Sequence, residues 1–136
     1  MDLLDLEVEE TSTLELLDSA DQPLTGDDEK PITVLLYGPG SKQYQRAKTS
    51  QSNRYLRRMA RKGSNADATS EERVTDDANL LTACTASFSD NFKYGGEPAS
   101  DHIADIYRNP KLGFLGEQVA KHIGEWSNFT KGSTPA

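Results

Sequence analysis

Between residues 41 and 63 the chain carries Lys42, Arg46, Lys48, Arg54, Arg57, Arg58, Arg61 and Lys62 and no acidic side chain. Eight cations in one stretch, interleaved with Tyr44 and Tyr55, can neutralise the phosphates of a nucleic acid or dock on an acidic protein surface. Two features favour protein. The net charge of -7 repels polyanions at long range, and the cations read as spread around the helix that carries them. The signs are also segregated: the first forty residues hold eleven acids and one base, and residues 64–136 hold eleven acids and six bases. An acidic partner surface, including the N-terminal arm of the same or a neighbouring subunit, is therefore expected at Lys42, Arg46, Arg54, Arg57, Arg58 and Arg61. A merely solvated face and nucleic acid rank behind it.

Other residues with chemical potential fall short of a site. Leu36-Tyr37-Gly38-Pro39-Gly40-Ser41-Lys42 has the strand–glycine–helix order of a phosphate loop, but one residue separates its glycines where four are needed, and Ser precedes Lys. A tight turn that consumes its own backbone amides is the expectation. His102 and His122 stand outside any nucleophile or metal motif, Cys84 is single and reads as a small buried hydrophobe, and Asp27-Asp28-Glu29 lacks the alternating ligands of a calcium loop. No catalytic residue, metal ligand or cofactor is expected, and the chain reads as a non-enzyme.

The elements that would position these residues follow from local pattern. Leu4, Leu6 and Val8 alternate with acids, as in a half-wet strand or a frayed end. Residues 13–17 and 32–37 read as strands, joined through a polar, turn-rich tip into a hairpin. Ser41 is a helix N-cap for a basic helix that stops at Gly63. After a linker at residues 64–68, the Thr69 hydroxyl and Glu72 carboxylate form a capping box. The helix it opens has an apolar stripe of Val74, Ala78, Leu81, Thr85, Phe88 and Phe92, ended by Gly95-Gly96. A short helix at residues 101–107 stops at Asn109-Pro110, and Pro110 starts a last helix with the stripe Leu112, Leu115, Val119, Ile123 and Trp126. Gly116, Ala120 and Gly124 form a row of small residues on it. Each glycine costs about 1 kcal/mol against alanine, which close packing must offset. That packing is read first as internal to the domain and second as a seam, with Trp126 and Phe129, for a foreign helix.

The fold class is thus α+β: an N-terminal β-hairpin or small antiparallel sheet followed by a bundle of three to four helices. Residues 1–40 form an acidic arm and hairpin, 41–130 a helical domain, and 131–136 a flexible tail. Only 35% of residues are hydrophobic against 27% charged, and the mean hydropathy is -0.70, so part of the chain should lie outside one small core. One cysteine, an acidic start and the lack of a long apolar run point to a reducing cytoplasm, no export and no membrane span.

The strings Leu36-Tyr37-Gly38-Pro39-Gly40-Ser41-Lys42-Gln43-Tyr44, Cys84-Thr85-Ala86-Ser87-Phe88, Leu112-Gly113-Phe114-Leu115-Gly116-Glu117-Gln118-Val119 and Trp126-Ser127-Asn128-Phe129 together resemble the small tail assembly chaperones of long-tailed bacteriophages. The similarity runs from about Thr13 to Phe129. It implies a mostly helical protein in the infected bacterial cytoplasm that coats the tape-measure protein, keeps it soluble and helps recruit tail-tube subunits before leaving. Many members of that family also exist in a longer, frameshifted form. The resemblance carries no residue-level binding site, and homo-oligomers are compatible with it. A structural virion protein, such as a minor tail or head–tail joining component, and a small nucleic-acid-binding regulator acting through the basic helix are the alternatives.

Overall fold

The computed structural model describes residues 2–62 and 70–130. The expected helix stop at Gly63, the linker at 64–68, the Thr69 and Glu72 capping side chains and the tail at 131–136 lie outside the described residues. β1 (Thr11–Glu15) and β2 (Thr33–Tyr37) form the expected hairpin, antiparallel with Thr13 opposite Leu35. Ile32, Val34 and Leu36 are buried while Thr33, Leu35 and Tyr37 are half-buried, the alternation a sheet with one core face requires. The hairpin tip is pinned rather than loose. Leu24 N–H donates to Leu16 O and Ile32 N–H to Leu24 O, both at 3.0 Å, so the chain folds back between the strand ends. Asp21 and Glu29 take positive φ (59° and 62°) to make the turns.

Two period-two or helical readings are corrected. Residues Leu3–Leu6 form a 3₁₀ turn instead of a strand, with the Asp2 carboxylate accepting from Leu4 N–H at 3.0 Å. Among the described residues no strand pairs with them to complete a ladder, and a short local hydrogen-bonded turn is what remains. The second correction is larger. α1 (Lys42–Lys62) is followed by α2 (Ser70–Cys84), which ends well before Phe92 because Thr85–Phe88 is a strand, β3. It pairs antiparallel with β2, Val34 facing Phe88, with a bulge between Leu35 and Leu36. Phe88 is buried under either period, so the apolar spacing could not discriminate. The open edge of β2, whose backbone groups need partners, decides it. Thr85 Oγ1 donates to Leu81 O at 2.7 Å and, its one proton so engaged, accepts from the Tyr107 hydroxyl at 2.6 Å, closing the last turn of α2.

Gly95-Gly96 is likewise a hairpin turn rather than a helix end. Both glycines have positive φ (61° and 84°), the conformation that a two-residue turn between β4 (Lys93–Tyr94) and β5 (Glu97–Pro98) demands. A 3₁₀ turn at Ala99–His102 leads into α3 (Ile103–Arg108). Asn109 then caps a further 3₁₀ turn, Pro110–Leu112, by accepting from Lys111 N–H. α4 (Gly113–Ile123) therefore starts three residues later than its proline suggests, and Trp126 lies beyond it in a 3₁₀ turn, Trp126–Phe129.

The architecture is α+β, a three-stranded antiparallel sheet in the order β1-β2-β3 with the helices packed on it. One core joins the halves: Val34, Leu36 and Phe88 from the sheet and Leu16 and Ile32 beside its strand ends meet Ala47, Leu81, Ile106, Leu115, Val119 and Ile123 from the helices. Phe129 closes its end. Its ring lies over Gly38 so closely that an added Cβ there would come within 2.4 Å of Cδ1, and Glu9 N–H donates to Phe129 O at 2.7 Å.

Candidate partner-binding surfaces

Two grooves flank α2. The larger, about 450 Å³, runs between α2 (Val74, Ala78, Leu81), the end of α3 at Tyr107, Pro110, and the Gly113, Gly116 and Ala120 face of α4. Its volume falls in the range of sites that hold a ligand side chain or small molecule. Gly116 keeps the wall low: a Cβ there would sit 3.4 Å from Leu81 Cδ1 and 4.0 Å from Tyr107 Cδ1. Asp77, Arg108 and Glu117 line the same groove and supply charge.

The small-residue row named from sequence is divided by the structure. Gly116 and Ala120 line this groove, but Gly124 is the C-cap of α4, its N–H donating toward Ala120 O and His122 O. Trp126 is 58% exposed on the far side of the helix end, close to Gly40, and Phe129 is wholly buried. The latter is therefore a core residue and not part of a client seam. Gly113, one turn before Gly116, completes the row instead. Its spacing of three from Gly116 is visible in the sequence.

The basic helix is divided too. Arg58 is only 6% exposed, with Nη2 at 2.8 Å from Asp76 Oδ2, and Arg54 Nε is 3.1 Å from Asp76 Oδ1. These two arginines face α2 and join the helices rather than presenting themselves to a partner. Lys42, Arg46, Arg57 and Arg61 are exposed. At about 100° per residue these four share one arc of roughly 100°, while exposed Lys48 lies well outside it, so the cations of the helix as a whole are spread around it. Arg46 and Arg54 border the second groove, about 300 Å³, with Gln43, Ser50, Asn79, Leu80 and Ala83 between α1 and α2. Tyr55, Leu56 and Met59, on the distal half of α1, are large apolar side chains left in solvent.

The Gly38-Pro39-Gly40-Ser41 turn is occupied by its own structure. Ser41 N–H and Oγ–H both donate to Gly38 O (3.0 and 2.7 Å), Ser41 Oγ accepts from Tyr44 N–H at 3.1 Å, and Gln45 Nε2 donates to Pro39 O. Phe129 fills the space above Gly38 and Val8 that above Gly40. His122 Nε2 lies 3.0 Å from Ser12 Oγ, a serine–histidine contact invisible in sequence. Ser12 is 2% exposed, so the pair is a hydrogen bond of the core edge, and burial lowers the His122 pKa against a small opposing effect of Glu125. His102 faces Glu97 at 2.8 Å and Asp105 at 3.7 Å on the surface. The hydrogen bond to Glu97 raises its pKa above the usual value. Cys84 is buried, and desolvation pushes its thiol up to about 11, well away from a nucleophilic thiolate.

Among the described residues no group of three or more His, Cys, Asp or Glu is placed to hold a metal ion, and no helix is long and apolar enough to cross a membrane. No family model, curated protein or solved structure matches the chain.

Proposed function

We propose that the protein is a tail assembly chaperone of a bacterial virus, working in the cytoplasm of the infected cell, where it binds the tape-measure protein and helps recruit tail-tube subunits. The observation that carries this reading is the apolar groove walled by Gly113, Gly116 and Ala120. Small residues let a client helix approach the α4 backbone closely, Val74, Leu81, Tyr107 and Pro110 offer it apolar surface, and Asp77, Arg108 and Glu117 select its register. A shallow site of this size binds weakly, which suits a chaperone that must release its client. The resemblance of the Gly38–Ser41 junction, β3 and α4 to tail assembly chaperones supplies the biological setting.

The test is recovery of the tagged protein from producing cells and, separately, from finished particles, with mass spectrometry of what accompanies it. Co-purification with one long helical chain, loss of that chain on Ala120→Arg or Val74→Asp, and absence from particles support the reading. Abundance in particles replaces it with a structural virion component. A second reading rests on the shared arc of Lys42, Arg46, Arg57 and Arg61, which can track a phosphate backbone. It requires nuclease-sensitive recovery and an affinity that falls steeply with salt.

A further inference from the structure

Large apolar side chains in solvent are concentrated in two places of opposite charge. One is the N-terminal arm, where Leu3, Leu4 and Leu6 are 78%, 64% and 58% exposed among Asp2, Asp5, Glu7, Glu9 and Glu10, with no base. The other is the distal half of α1, where Tyr55, Leu56 and Met59 are 48%, 59% and 42% exposed on a helix with eight bases and no acid. Each patch holds what the other lacks. Leucines interleaved with carboxylates match an apolar strip on a helix whose charged residues are all basic.

The arm's anchor disfavours a meeting within one chain. Val8 is seated over Gly40 and Glu9 is hydrogen-bonded to Phe129 O, beside the start of α1. Leu6, Leu4 and Leu3 precede Val8 by two, four and five residues, a reach of about 7, 14 and 17 Å even when fully extended. Leu56 lies fourteen residues into α1, which at the helical rise is about 21 Å along its axis.

We infer that the acidic leucine arm, residues 2–7, docks on the Tyr55, Leu56 and Met59 face of a second copy of this chain. The contact joins two different patches, so it propagates from copy to copy unless two chains exchange arms reciprocally. It does not depend on the client proposed above, because purified protein alone is sufficient to form it.

Sedimentation velocity of the full-length chain over a concentration series reads the contact directly. The parent is expected to self-associate, and the association to weaken as salt rises from about 0.05 to 0.5 M, since the charged rim is exposed. Two variants change only exposed side chains: Leu3→Ser/Leu4→Ser/Leu6→Ser lacks the arm's apolar face, and Leu56→Asp/Met59→Asp lacks the receptor. Each alone should associate about tenfold or more weakly, as loss of an apolar anchor does at an interface. Mixed in equal amounts they should form a one-to-one dimer, because one variant retains the arm and the other the receptor. Circular dichroism matching the parent confirms that both are folded. A parent that stays monomeric throughout overturns the inference, as does association that survives both sets of substitutions or a mixture that remains monomeric.

Discussion

The first turns of α1 and its last turns belong to one helix but are held by different forces. At the start, Ser41 caps the backbone, Ala47 is buried in the core, and the preceding Gly38 turn is clamped under Phe129. At the far end the described attachment to the body is ionic, through Arg54 and Arg58 to Asp76, and the largest apolar side chains look outward. Core burial stabilises the first region by about 25 cal/mol for each Å² of apolar surface removed from water, whereas the second relies on charged hydrogen bonds at a partly wet site. The comparison teaches that burial inside the domain does not account for every apolar residue. Of those left over, Tyr55, Leu56 and Met59 lie on the stretch of α1 least engaged with the core, where a partner has room to bind.

Perturbing each region separately tests this contrast. Phe129→Ala should have the largest effect, a loss of about 3–5 kcal/mol in urea unfolding, because a fully buried ring leaves a cavity over Gly38. A loss no larger than that of a surface change would break the comparison at its base. Gly38→Ala should cost less, about 1–3 kcal/mol, as its methyl drives the Phe129 ring from its seat. Combining it with Phe129→Leu should be less than additive, since both changes disturb one contact.

Asp76→Asn sharpens the other side. Its cost should be about 1–3 kcal/mol, the range of hydrogen bonds to charged groups, and it should be local. Amide exchange should quicken over residues 54–62 and stay unchanged at Val34 and Leu36; uniform acceleration would mean that the two halves of α1 form a single cooperative unit. The smallest effect is on pH dependence. Burial holds the His122 pKa below its ordinary 6.5, so the unfolded chain takes up a proton first. The stability contributed by neutral His122 is complete above 6.5 and is lost as pH falls through 6.5 toward the folded-state value. His102 runs the opposite way: its pKa is raised, so its contribution is present below 6.5 and lost as pH rises through the folded value. Subtracting the pH–stability curve of His122→Gln from that of the parent isolates the first effect, which should appear on the acid side alone.

Several features were legible because their causes are local. The Ser41 cap and the break at Asn109-Pro110 each depend on residues within a few positions of one another, and the hairpin joins two neighbouring segments, residues 11–15 and 33–37, through one turn-rich connection. The α2–α4 groove was half legible: Gly116 and Ala120 announced close approach, but the start of α4 at Gly113 depends on the intervening 3₁₀ turn. Strand β3 was not legible, because Thr85, Phe88 and their neighbours satisfy a helical stripe as well as a strand. Nor was the fate of Arg58, which reads like its neighbours until Asp76 on another helix is placed beside it.

The sequence by itself determined where charge of each sign resides and which short segments turn, cap or alternate, because those properties come from neighbours along the chain. Tertiary structure alone decided that residues 85–88 become a strand, that Phe129 belongs to the core, and that Leu3, Leu4, Leu6, Tyr55, Leu56 and Met59 stay in solvent. Burial and pairing at those positions depend on groups up to a hundred residues away, and a side chain of given type is buried only when such a group arrives to cover it.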